Sequence, residues 1–60
     1  MTFEVFRNRN KEWRWRLRAS NGRIVANSGE SYRRRIDCSD SIVLVRASAG
    51  AKVVIEGKRT

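Results

Sequence analysis

Glu12-Trp13-Arg14-Trp15-Arg16-Leu17-Arg18-Ala19 decides the fold. Read at a period of two, it places Trp13, Trp15, Leu17 and Ala19 on one face and Arg14, Arg16 and Arg18 on the other. Successive side chains of a strand point to opposite sides, so this is a strand with one buried face and one wetted face. A helix would scatter the same residues around its circumference. The indole rings are therefore expected to look into a core and the guanidinium groups to look out.

Towards the N-terminus, Phe3-Glu4-Val5-Phe6 reads as a first strand and Asn8-Arg9-Asn10-Lys11 as a turn, because asparagine tolerates positive φ and hydrogen-bonds locally. Two registers are open. A two-residue loop sets Phe6 opposite Trp13, whereas a shift by one aligns Phe3 and Val5 with the tryptophans. The second is favoured, and it needs a three-residue loop or a bulge. A slip of one residue exchanges the buried and exposed faces, so the choice matters.

Towards the C-terminus, Asn21-Gly22 is a strong hairpin signal, since a type I′ turn needs positive φ at both central residues. A two-residue loop there pairs Ser20 with Arg23, Ala19 with Ile24, Arg18 with Val25 and Leu17 with Ala26. The expectation is a three-stranded antiparallel meander over residues 3–8, 12–20 and 23–28.

Beyond the loop Ser28-Gly29-Glu30-Ser31 the period changes. Cys38, Ile42, Val45 and Ala49 recur at helical spacing and mark one face of a helix running from about Arg34 to Ala49. Ile42-Val43-Leu44-Val45 alone could form a strand by propensity, but the length of the uninterrupted segment favours a helix. Gly50 supplies a stop. Val43 and Leu44 fall off the inner face, to be exposed or to form a second contact surface. Val53-Val54-Ile55 reads as a short strand covered on both sides. Residues 57–60 read as a polar tail free to fray. The whole is an α+β chain, β-β-β-α-β, in one domain over residues 1–60.

A chain of 60 residues buries only about 60% of its unfolded surface, so its core needs a supplement. Cys38 is the single cysteine, which rules out an intrachain disulfide, and with no histidine a structural zinc site lacks its ligands. Self-association remains, and a homodimer is expected. No apolar run approaches the roughly 20 residues of a membrane span, and Glu4, Arg7 and Arg9 interrupt any leader pattern. A cytoplasmic location is expected, and an unpaired cysteine suits a reducing compartment. Fourteen basic residues, eleven of them arginine, against six acidic ones give a net charge of +8. Such an excess makes non-specific contact with nucleic acid easy.

These residues resemble the YegP-like family of small bacterial and archaeal proteins. The resemblance rests on Phe3–Phe6, Glu12–Leu17, Ala19-Ser20-Asn21-Gly22, Ile24-Val25-Ala26 and Ser28-Gly29-Glu30-Ser31-Tyr32, with the later spacing of Cys38, Ile42 and Val45-Arg46. It implies a β3-α-β unit. For single copies it also implies a homodimer that builds one continuous sheet and exchanges the C-terminal strands. It brings no catalytic or ligand-binding residues and no molecular function. The chain departs from the family pattern at Arg34, where a capping serine or threonine is usual, and at Ser41, usually glycine. Val43 and Leu44 stand in place of polar residues. The lost cap costs about 0.5–2 kcal/mol unless Ser31, Asp37 or Ser39 replaces it. Three consecutive arginines at the positive end of a helix are also unfavourable locally.

Catalytic chemistry has little support. Cys38 on the apolar helix face has no histidine to act as base, and reads as a small core residue. Asp37 and Asp40 share a helix face but lack a third ligand. No cofactor and no metal are expected. Arg14, Arg16 and Arg18, with Arg33, Arg34 and Arg35, are the candidate nucleic-acid contacts. The competing reading is a solvated sheet face with cross-strand pairs such as Glu4 to Arg14 or Arg16. A non-enzymatic homodimer, serving as a protein-interaction module, is thus the leading reading, with a nucleic-acid binder as the alternative.

Overall fold

The computed structural model describes residues 1–56 and the backbone of Lys58 and Arg59. Strands β1 (Thr2–Arg7), β2 (Trp13–Arg18) and β3 (Ile24–Asn27) form an antiparallel sheet in the order β1-β2-β3. Helix α1 (Arg35–Ala47) crosses one face, and a 3-10 turn, Ser48–Gly50, ends it. The chain finishes in a hairpin of β4 (Val54–Ile55) and β5 (Lys58–Arg59), separate from the main sheet. The element order is thus β-β-β-α-β-β. The expected polar tail over residues 57–60 instead contributes Lys58–Arg59 to β5, while Gly57 and Thr60 lie outside the described residues.

The first hairpin takes the favoured register. Phe3 lies opposite Leu17, and Val5 opposite Trp15. Its loop is Arg9-Asn10-Lys11, closed by the Asn8 N–H donating to the Glu12 carbonyl at 2.8 Å and the Lys11 N–H to the Asn8 carbonyl at 3.0 Å. Lys11 sits at φ 61°, as a turn followed by a left-handed residue requires in a three-residue loop. The Asn8 Oδ1 accepts the N–H groups of Asn10 and Glu12 at 2.9 and 3.0 Å, which fixes that geometry locally.

The second hairpin departs from the two-residue reading. Ala19 and Arg23 bracket a three-residue loop, their N–H and C=O bonded at 2.8 Å, and the Gly22 N–H donates to the Ala19 carbonyl. Only Gly22 has positive φ there, at 88°, so Asn21 is not in the type I′ conformation. Asn21 instead accepts the Arg23 N–H on its side chain at 3.0 Å. The longer loop shifts the pairing, so Arg18 lies opposite Ile24 rather than Val25. A bulge between Leu17 and Arg18 then restores Leu17 opposite Ala26.

Trp15 is the centre of the core. It is 6% exposed, meets Phe3 edge-on at 5.3 Å between ring centroids, and donates its Nε1–H to the Ser41 Oγ at 2.9 Å. Cys38 and Ser28 are fully buried beside it. Ser41 thus satisfies the indole N–H of Trp15. Its own hydroxyl donates to the Cys38 carbonyl at 2.6 Å.

The helix starts without a side-chain cap, since Arg34 occupies the cap position and makes no capping bond. Arg34 instead grips Asp37 with Nε and an Nη at 3.0 and 3.1 Å. The carboxylate in the first turn counters the charge of the arginines and complements the helix dipole. Val43 and Leu44 are exposed, as their place off the inner face requires.

Candidate functional site

Alternation along β2 brings Arg14, Arg16 and Arg18 to the face opposite the helix, where Glu4 and Phe6 of β1 join them through the pairs Glu4–Arg16 and Phe6–Arg14. All three arginines are half-buried, because their stems and heads lie against the sheet. Arg16 donates its Nε–H to Glu4 Oε1 at 2.7 Å, and Arg18 donates to the same oxygen at 3.2 Å. Those two hydrogen bonds, Arg16's first, hold the Glu4 carboxyl below its ordinary value. Arg18 also reaches the Gly22 carbonyl at 2.6 Å, which ties the second loop to the sheet. The guanidinium of Arg16 lies over the Phe6 ring, 4.7 Å from its centroid.

Arg14 does a different job. Its two Nη groups donate to the Ser28 carbonyl at 2.7 Å and the Ser31 Oγ at 3.1 Å. It does not pair with Glu4. Ser28 N–H and Oγ meanwhile bond the Trp15 carbonyl and N–H at 2.8 and 3.2 Å, and Tyr32 forms a two-bond bridge with Trp13. Arg14 is thereby a strap that returns residues 28–32 to the edge of β2.

Of the second group, Arg34 is engaged by Asp37, and Arg33 and Arg35 are exposed. The paired Asp37 carboxyl is held below its ordinary value by the Arg34 hydrogen bond. The structure therefore does not present six equivalent cations. Sequence reasoning missed Phe6 on the arginine face, although counting by twos across a three-residue loop finds it. Cys38 is closed to solvent, and burial pushes its thiol above the ordinary value. Among the described residues there is no cluster that could hold a metal ion, and they enclose no cavity.

A second feature is apolar. The Asn8–Glu12 bond fixes the alternation of β1, so the backbone groups of Phe3, Val5 and Arg7 point away from β2. Among the described residues no strand pairs with that edge. On β1 Val5 is 37% exposed, as is Val45 of the helix, and in the C-terminal segment Val53, Val54 and Ile55 are 63%, 68% and 56% exposed. The run Val53–Ile55, expected to be covered on both sides, is thus more than half exposed. The structure exposes 5293 Å², against about 4,000 Å² for a compact folded chain of this mass.

A three-stranded antiparallel meander under one helix, with a bonded arginine face, defines a small α+β domain. Residues 8–56 match the family model described as a domain of unknown function, DUF1508, and the chain belongs to that YegP-like, UPF0339 family. It is 36% identical over 56 residues to a UPF0339 protein of Neisseria meningitidis serogroup B, spanning 93% of this chain and 98% of the relative. A UPF0339 protein of Treponema denticola is 35% identical over 54 residues, spanning 90% and 91%. The solution structure of a protein from Haloferax volcanii superimposes with a TM-score of 0.82 at 39% identity, covering 90% of each chain. The family has no known catalytic function.

Proposed function

We propose that the protein is a non-enzymatic homodimeric domain that acts as a protein-interaction module in the cytoplasm, and that each copy lends its β4 segment to the β1 edge of the other. The observation that carries this reading is the pairing of an open, unbulged edge with an exposed apolar strand in the same chain. Strand addition would satisfy the outward N–H and C=O groups of Phe3, Val5 and Arg7 and cover Val5 and Val45. The excess surface, of order 1,000 Å², is comparable to the roughly 800 Å² each partner buries in a standard interface. The other edge is less suited, because β3 is short and bulged.

Cys38 supports the non-enzymatic reading. A nucleophilic thiol needs exposure and a lowered pKa, and this one has neither. Its unpaired state fits a reducing compartment. Sedimentation equilibrium tests the assembly. The wild-type chain should sediment as a dimer at micromolar concentration, and Val54→Asp should shift it to monomer. A wild-type chain that stays a folded monomer at that concentration overturns the reading.

A further inference from the structure

Two cross-strand contacts on the arginine face meet at one side chain, Arg16. Arg16 is held from two sides: its guanidinium carbon lies over the Phe6 ring, 4.7 Å from the centroid, and its Nε–H donates to Glu4 Oε1 at 2.7 Å. Both partners are on β1, neither contact engages an Nη group, and the side chain keeps 40% of its surface open. Arg18 next to it has one Nη on the Gly22 carbonyl and shares the Glu4 oxygen. Two guanidinium groups on a single carboxylate leave the pair net positive. Ile24 and Val25, exposed at the Arg18 end, add apolar surface beside that charge.

We infer that Arg16 stacked on Phe6 is a platform for a base of a single-stranded nucleic acid, with the neighbouring guanidinium groups taking its phosphates. Bases stack on arginine planes as well as on aromatic rings, and a plane already supported by an aromatic loses little freedom when a base covers its other side. A duplex keeps its bases stacked on one another and offers only phosphates. An acidic peptide has no need of the plane. The tryptophans take no part, since they face the helix, so the platform differs from an aromatic sheet surface in resting on arginine.

Fluorescence anisotropy with a labelled oligothymidylate and an abasic strand of equal length and charge tests this on the wild-type protein. At about 0.05–0.15 M salt the thymidylate should bind about tenfold more tightly than the abasic strand. Arg16→Lys keeps the charge and removes the plane, so its thymidylate affinity should fall to that of the abasic strand. Arg46→Gln, which lowers the net charge in the last turn of the helix, away from the platform, should weaken both strands equally. Equal binding of the two strands by the wild type, or no binding of either, overturns the inference without requiring any variant to fold. Wild-type affinity in a folded Arg16→Lys variant overturns it as well.

Discussion

Replacing Trp15 with alanine removes the one large side chain that the sheet and helix both bury. The ring is 6% exposed, packs edge-on against Phe3, and spends its N–H on Ser41. Truncating a buried aromatic costs about 3–5 kcal/mol, from lost transfer energy and the cavity left behind. A chain of this length holds only about 3–9 kcal/mol in all, so Trp15→Ala should remove a large share of its stability. A milder pair isolates the polar part. Ser41→Ala leaves the indole N–H without its partner in a closed site, at a cost of about 1–3 kcal/mol. Trp15→Phe with Ser41→Ala should recover part of that loss, giving a coupling of about 0.5–1.5 kcal/mol in a double-mutant cycle. Denaturant melts followed by circular dichroism, all at one protein concentration, measure these values, because an associating chain gains stability with concentration. A loss below about 1 kcal/mol for Trp15→Ala would show that the ring is not the core, and the placing of the arginines on the outer face would fall with it.

Acid should weaken the fold through Glu4 and Asp37, both held below their ordinary values by arginine hydrogen bonds. A carboxylate with a depressed folded-state pKa contributes stability above its unfolded value and loses it as pH falls through the folded one. Thermal melts should therefore drop with pH below about 4.5, and the drop should be shallower in Glu4→Gln and Asp37→Asn. An unchanged acid limb in both variants refutes the pairing. The loops make the third test. Lys11→Gly should raise stability by up to about 1 kcal/mol by relieving a left-handed non-glycine residue, while Gly22→Ala should lower it by about as much. Opposite signs in thermal melts would refute the loop geometry.

The alternation of tryptophan and arginine was enough to orient β2, because a half-buried strand must obey a period of two whatever surrounds it. The same parity, with Phe3 and Val5 set inward, called for a three-residue first loop or a bulge; the chain takes the loop, and Lys11 supplies the left-handed residue that it needs. Asn21-Gly22 was less decisive, since the pair permits a type I′ turn without compelling it. One positive φ at Gly22 serves a longer loop equally well, and the bulge between Leu17 and Arg18 absorbs the extra residue. The destinations of the arginines were beyond local reading. Arg14 finds Ser28 and Ser31 only because the chain returns there, and Arg18 finds Glu4 diagonally across the sheet. Arg34 at the cap position reads as a defect, yet Asp37 three residues on meets its charge.

The polar bonds along β2 bear on why association through the proposed exchange would stop at two copies. A sheet with two usable edges adds strands indefinitely, whereas one usable edge and one strand to lend can close on itself. Here Asn8, Arg14, Ser28, Ser31 and Tyr32 knit the segment after β3 back onto β2, with Asn8 Nδ2 reaching the Ser31 Oγ at 3.3 Å. That network shortens β3 to four residues and turns the chain away beyond it. Among the described residues the β1 edge has no such guard, and its Val5 is only half covered. Loss of Arg14 should therefore do more than loosen a loop. By freeing residues 28–32 it would extend the second edge, and the physical consequence is a shift from closed pairs towards open-ended assembly.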